Sequence, residues 1–434
     1  MKNPSSILWR GALAATAFVV LGTKASGQAA GADPARIQRD IATLADAKWE
    51  GRATCTPGLD SAAAYIAARF RTLGLEPAGS TPANSTAREF FQRYVVRASG
   101  AAANGIPTQC NSQNVVAILR GTHPTLAKEF VVVGAHYDHL GRNASYALDK
   151  VATDAIRPGA DDNASGTAGV MELARIFRAH PTRRSLLFVT FSGEEWGALG
   201  SQKFVAEDRP TGHIQAMVNF DMIGRLRGDS LFVIGTGTAT EMAGIVDSQN
   251  TGKVPLVLRK NPDGNGSSDQ NSFYTKDFAV PVLHFFTELH SDYHKATDVA
   301  SKINSPGEAR VLDYASRVIR EMADRSAQLT VVWKPAPVRA GGSGTQPYLG
   351  STPDMAAGDT PGLRVTGIAS GSPAEKAGMK AGDIVVELAG KEVTDINTYA
   401  AALYAKKPGD TITVVVLRDG KRVSVTAILT KRGG

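Results

Sequence analysis

Residues 185–197 read SLLFVTFSGEEWG, an unbroken apolar run followed at once by Glu194 and Glu195 side by side. A continuous apolar run predicts a strand buried on both faces, as in a parallel sheet covered by helices. Two adjacent carboxylates at its end repel each other and lose hydration unless positive charge lies nearby. The pattern recurs along the chain: FVVVGAHYDH reaches His136 and Asp138, AMVNFDM reaches Asp221, and VPVLHFFTELHSDYH runs on to His290, Asp292 and His294. RPGADDNASG sets Asp161 and Asp162 in a glycine-flanked loop ahead of the helix-like SGTAGVMELARIFRAH. With the further runs NVVAILR and SLFVIG, strands alternating with helical segments predict an α/β fold, a mostly parallel mixed sheet with helices on both faces. In open α/β sheets ligands gather at the carboxyl ends of strands, so these groups are expected to converge on one edge. Imidazole and carboxylate donors without thiolates suit catalytic zinc. Asp138, two residues after His136, is placed to hold the far nitrogen of that ring. The chemistry implied is metal-assisted hydrolysis.

The chain has 434 residues, 43% of them hydrophobic and 21% charged, which is more than one ordinary domain needs. Residues 1–27 carry Lys2 and Arg10 ahead of a short apolar stretch and end in small residues, the pattern of a secretory signal peptide. Its removal takes Lys2, Arg10 and Lys24 and lowers the formal charge from +7 to +4, an excess too mild to argue for nucleic acid. No cysteine stands near the cut for a lipid anchor, so the mature chain is expected off the membrane, in the periplasm or outside the cell. Cys55 and Cys110, the only cysteines, are disulfide candidates in that setting. Helical spacing covers 33–79, with a poorly patterned stretch after it to 104. Near 334 the composition turns to KPAPVRAGGSGTQP, a flexible connector over 334–346. It separates a domain at 28–333 from a module at 347–434.

GAHYDHLG, PGADDNASG, SGEEWGALGS, NFDMIG, SSDQNSF and DYHKATD, in this order, resemble the co-catalytic di-zinc peptidases, which include bacterial leucyl aminopeptidases and glutamate carboxypeptidases. The resemblance covers residues 33 to about 330 and implies the zinc exopeptidase fold with two zinc ions. It implies that His136 and Asp221 hold one zinc, Glu195 and His294 the other, and Asp162 both. Asp161 competes for the bridging place, but the family's ligand directly precedes the Asn-x-Ser-Gly portion. A cis peptide after Asp162 is implied as well. Glu194 would be the general base, taking a proton from a metal-bridging water and passing it to the leaving amine. Asp298 is expected to support the ligands or cap a helix. Ser268 and Asp269 are expected to shape the substrate rim, and His290 and Tyr293 to meet the substrate or pack beside the site. His139 reads as a bystander.

In the last module, YLGSTPD, LRVTGIASGSPAEKAGMKAGDIVVELAGKEVTDINTYAAAL and KPGDTITVVVLRDGKRVSVTAIL resemble a small, β-rich bacterial PDZ domain. The resemblance implies that backbone amides near Tyr348, Leu349 and Gly350 cradle the carboxylate of a peptide or protein C-terminus. The peptide would then run between a sheet edge and the helix around 397–404. Ser351 stands where many relatives have an apolar residue. Together these readings imply an exported zinc exopeptidase acting on peptides, first of all an aminopeptidase. A carboxypeptidase, a dipeptidase or a glutaminyl cyclase on the same fold is the alternative, although cyclases use one zinc. A non-catalytic PDZ-bearing binding protein is expected to have lost the base or ligands, and this chain keeps them.

Overall fold

The computed structural model describes Met1 and residues 31–83, 85–97, 109–142, 147–149, 154–207, 209–335, 347–353, 362–369, 371–394 and 396–431. The expected signal peptide, apart from Met1, and the expected connector after residue 335 lie outside the described residues. Helix α1 (Pro34–Leu44) starts at Asp33, whose side chain accepts from the amides of Ala35 and Arg36. Helix α2 (Pro57–Thr72) starts at Thr56, capped through Leu59 N. Each has proline in its first turn, where no intrahelical partner for the amide is lost.

Strands β1 (Glu76–Pro77), β2 (Phe91–Arg97), β3 (Gln109–Leu119) and β4 (Phe130–His136) come next. Helix α3 (Gly166–Ala179), strand β5 (Ser185–Phe191), helix α4 (Leu199–Ala206), and strands β6 (Ile214–Phe220) and β7 (Ser230–Ile234) follow. Helix α5 (Met242–Ser248), strand β8 (Val257–Asn261), helix α6 (Gln270–Phe273), strand β9 (Val282–Phe286) and helix α7 (Ser305–Asp324) complete the first domain. The strands form a nine-stranded sheet in the order β1-β3-β5-β4-β6-β9-β7-β8, with β2 also on β3. Its centre, β5-β4-β6-β9, is parallel, and β3 and β7 join it antiparallel.

Alternate residues of the central strands feed two separate cores. Val131, Val133, Leu186, Phe188, Ala216 and Val218 pack with Ile41, Ile66, Phe70, Phe177 and Leu312 from α1, α2, α3 and α7. Val132, Leu187, Val189, Phe191 and Met217 pack on the other face with Phe204 of α4 and Phe273 of α6. Both faces are therefore dry, which is why these strands carry no polar alternation. Full burial of one such side chain contributes about 1.5–3 kcal/mol.

Three strands depart from the sequence reading, the short β1 because it falls at the end of the stretch read as helical. β2 falls in the stretch read as poorly patterned, although it alternates: Gln92, Tyr94 and Val96 point inward while Arg93 and Val95 face out. β8, at the opposite edge, is largely exposed and carries Arg259 and Lys260. Cys55 and Cys110 are bonded, with Cα atoms 5.9 Å apart. Among the described residues no helix is long and apolar enough to cross a membrane.

The second domain comprises β10 (Pro347–Tyr348), β11 (Ser351–Pro353), β12 (Leu363–Ile368), α8 (Pro373–Lys376), β13 (Ile384–Leu388), β14 (Lys391–Glu392), α9 (Ile396–Tyr404), β15 (Thr411–Arg418), β16 (Lys421–Ile428) and β17 (Thr430–Lys431). Its sheet runs β11-β12-β13-β15-β16, with β14 on β13, and β10 pairs with β17. Leu349, Val365, Leu388, Tyr399, Leu403, Val414 and Val416 fill its own core.

Candidate active site

Strand β4 ends on His136, and β5 and β6 stop just short of Glu194, Glu195 and Asp221. Because these strands are parallel, their carboxyl ends share one edge, and that is where the side chains meet. His136 Nε2 lies 3.4 Å from Asp162 Oδ1 and 3.4 Å from Asp221 Oδ1. His294 Nε2 lies 3.2 Å from Asp162 Oδ2 and 3.2 Å from Glu195 Oε2. The two oxygens of Asp162 thus serve two separate triads. Zinc–ligand bonds of about 2.0–2.2 Å in tetrahedral array place ligand atoms roughly 3.4 Å apart. The imidazole–carboxylate spacings in both triads fit such a centre, and His136, Asp162 and Asp221 lie close enough together to hold one ion. The donor set of imidazole and carboxylate suits zinc as well.

The Asp162–Asn163 peptide is cis, as expected from the sequence. Asp298 Oδ2 accepts the amides of Asp161 (2.9 Å) and Asp162 (3.1 Å), so it holds the ligand loop. Asp161 turns away from the triads: its carboxylate takes Gly224 N at 2.7 Å and Ser165 Oγ at 3.0 Å, and faces His290 Nε2 at 3.1 Å. Gly159 makes this turn possible. It sits at φ +57, and a Cβ there would lie 2.1 Å from Asp162 O and 2.4 Å from the His139 ring. Gly159→Ala is expected to cost at least about 2 kcal/mol, by strain and collision together. Denaturant titration of the variant checks it, and an unchanged midpoint would contradict it.

One reading is corrected and others are narrowed. His139 is no bystander: fully buried, its Nδ1 lies 2.7 Å from Glu195 Oε1, and it forms a candidate metal group with Asp162 and Glu195. The signal in the sequence was its direct succession to Asp138 after a buried strand. Ser268 and Asp269 do not line a rim, since both are buried. Ser268 Oγ instead donates to Asp221 Oδ2 at 2.7 Å and accepts from Asn219 Nδ2 at 2.9 Å. Burial pushes Asp269 up to about 7, although His136 and Ser201 pull it down. Tyr293 packs beside the site, its ring stacked on His294 with centroids 3.9 Å apart.

The adjacent glutamates titrate in opposite directions. Burial drives Glu194 well above the usual carboxylate range; His136 pulls it down, and Asp221, Asp269 and Glu195 push it further up. Burial raises Glu195 too, but His294 and His139 outweigh it and hold Glu195 well below that range.

Asp292 is an anchor. Burial pushes it up, but Lys302 Nζ at 2.6 Å, Thr297 Oγ1 at 2.7 Å and Arg225 together hold it down to about 2. Its folded value lies below the unfolded value of about 3.9, so it contributes stability above pH 4 that is lost as pH falls toward 2. Asp292→Asn is expected to flatten the decline of Tm between pH 4 and pH 2. An unaltered acid limb would count against this.

In the second domain Leu349 O accepts from Ala374 N and Gly350 O from Ala369 N, each at 2.8 Å. Gly350 sits at φ +84, and a Cβ there would lie 2.2 Å from Ser372 Cβ. Ser351 Oγ and Tyr399 OH are 2.5 Å apart, joining β11 to α9.

A family model described as peptidase family M28 matches residues 114–319, and a PDZ domain model matches residues 347–429. A probable zinc metalloprotease of Pyrenophora tritici-repentis is 31% identical over 175 residues, 40% of this chain and 32% of that protein. Aminopeptidase YwaD of Bacillus subtilis is 31% identical over 122 residues, 27% of this chain and 23% of that protein. The chain thus spans about a third or less of the length of these curated relatives. Among solved structures, a Zn-dependent exopeptidase from Parabacteroides distasonis matches with a TM-score of 0.53 at 15% identity, over 69% of this chain and 100% of that one. A glutaminyl cyclase from Bacteroides thetaiotaomicron also reaches 0.53 at 15% identity, over 68% and 99%. At such identities the likeness is one of fold.

Proposed function

This chain carries a peptidase family M28 domain followed by a PDZ domain, and from that premise we propose that it is an exported aminopeptidase working with two zinc ions. The observation that carries the reading is the Asp162 carboxylate, set between His136 and His294, with the Glu194 loop held beside it by the Asp138 carboxylate. His136, Asp162 and Asp221 would hold one zinc, and His294, Asp162 and Glu195 the other. Bound there, zinc supplies Lewis acidity that makes water acidic and polarises the scissile carbonyl. Glu194 then takes the proton of the attacking water and delivers it to the departing amine. His139 orients Glu195, and Ser268 orients Asp221. The disulfide supports export, since such bonds persist in oxidising compartments. In the PDZ domain, the Tyr348–Leu349–Gly350 turn would receive a peptide C-terminus.

Beside the ligands, Met222, Phe232 and Phe286 form a small apolar cluster with Leu289 and Tyr293 packed on it. An apolar first side chain of the substrate would rest there. Leucyl or phenylalanyl amides are expected to exceed glutamyl amides about 10-fold or more in kcat/KM. Equal rates would remove the cluster from the pocket.

The deciding experiment compares free and N-acetylated aminoacyl amides, with and without chelator. Hydrolysis of the free amide alone, lost on chelation and restored by zinc, is expected. Equal rates on both amides would exclude an aminopeptidase. Cyclisation of an N-terminal glutamine in place of hydrolysis would transfer the site to the cyclase reading.

A further inference from the structure

We propose that Thr54 is a positioning residue for this site, acting through Asp138, and that the Cys55–Cys110 disulfide keeps it in place; the inference rests on the hydrolase reading above. Asp138 is fully buried and its carboxylate has two neighbours in the site. Glu194 N donates to Oδ1 at 3.2 Å, so the backbone of the base hangs on it. His136 Nδ1 lies 3.7 Å from the same oxygen and 3.1 Å from the Asp138 carbonyl, which leaves Nε2 directed at Asp162 and Asp221. The other oxygen, Oδ2, accepts from Thr54 Oγ1 at 2.9 Å, a bond between residues both buried and 84 positions apart. One hydroxyl therefore sets the rotation of the carboxylate that orients a ligand and fixes the base.

Thr54 belongs to a strap whose start and end are tied down by different means. Arg52, fully buried, gives its guanidinium to the carbonyls of Leu44 (2.6 Å), Pro158 (2.7 Å), Tyr137 (2.9 Å) and Gly159 (2.9 Å). Arg52 O accepts from His139 N at 3.2 Å. Past Thr54 the main chain leaves the site for α2, and Cys55 is the first residue beyond it. Cys55 is bonded to Cys110 near the start of β3. β3 pairs with β5, the strand that leads to Glu194. The disulfide thus fastens the strap to the same sheet that presents the base, and the distance from Thr54 to Asp138 is set across that frame.

The test uses the full zinc-loaded chain and four variants. Thr54→Val keeps shape and removes the donor, and Thr54→Ser restores it. The double variant Cys55→Ser with Cys110→Ser releases the strap, and its combination with Thr54→Val completes a cycle. Thr54→Val and the double serine variant are each expected to lower kcat about 10-fold with KM unchanged, and to lose zinc about 10-fold faster to a competing chelator. Thr54→Ser should recover both, and the combined variant should be no worse than the weaker of its parents. Full kcat and zinc retention in Thr54→Val would overturn the proposal. Losses that multiply in the combined variant, or a double serine variant changed only in Tm, would overturn the part played by the disulfide. Chelator competition reads zinc without substrate, so a failure of the aminopeptidase reading leaves this result separately legible.

Discussion

Glu194→Gln is expected to lower kcat by about 10²- to 10⁴-fold while the zinc content stays that of the unaltered protein. The amide preserves the size of the side chain and leaves Glu194 N on Asp138, so neither the loop nor the ligands need move. What disappears is the capacity to carry a proton, whereas the neighbouring Glu195 is held as an anion by His294 and His139. Glu195→Gln is the contrasting case: it removes negative charge from His294 and His139, and zinc should be retained less well. Metal analysis beside steady-state rates separates the two. Substantial turnover in Glu194→Gln would end the assignment of the base.

Asp162→Asn is expected to abolish measurable turnover and to deprive both triads of zinc, because each uses one oxygen of this carboxylate. Without cations, Asp162, Asp221, Glu194 and Glu195 crowd one edge of the sheet, and their mutual repulsion opposes folding. Zinc at about 1,000 times its dissociation constant would stabilise the native state by about 4 kcal/mol. Thermal denaturation should therefore shift upward with zinc in the unaltered protein and remain flat in the variant. A variant that still gains stability from zinc and turns over substrate would show that Asp162 does not bridge.

The centre of the fold was legible because β4, β5, β6 and β9 are dry on both faces, and a short continuous apolar run bounded by polar loops suits a buried strand far better than a surface element. β2 and β8 escaped notice for the opposite reason: edge strands need little apolar surface, so their composition carries little signal. The candidate ligands were proposed from the residues that end those central strands, together with the resemblance those motifs carry. His139 was passed over because nothing in H-x-D-H tells which imidazole reaches back over the loop. Thr54 was invisible, since its partner lies far along the chain and no local pattern announces such a bond. Asp161 and Asp162 were separable by motif, and the structure adds a physical contrast: the first is turned to Gly224, Ser165 and His290.

The division of the central strands into two cores bears on how this chain can change over generations. A deletion of one residue within Ser185–Phe191 would send the side chains of β5 beyond it to the wrong layer, and would also advance Glu195 into the position of Glu194. Packing and proton transfer would fail in the same step. Length variation is thereby confined to the loops and the connector, while within the strand substitutions remain open and insertions do not.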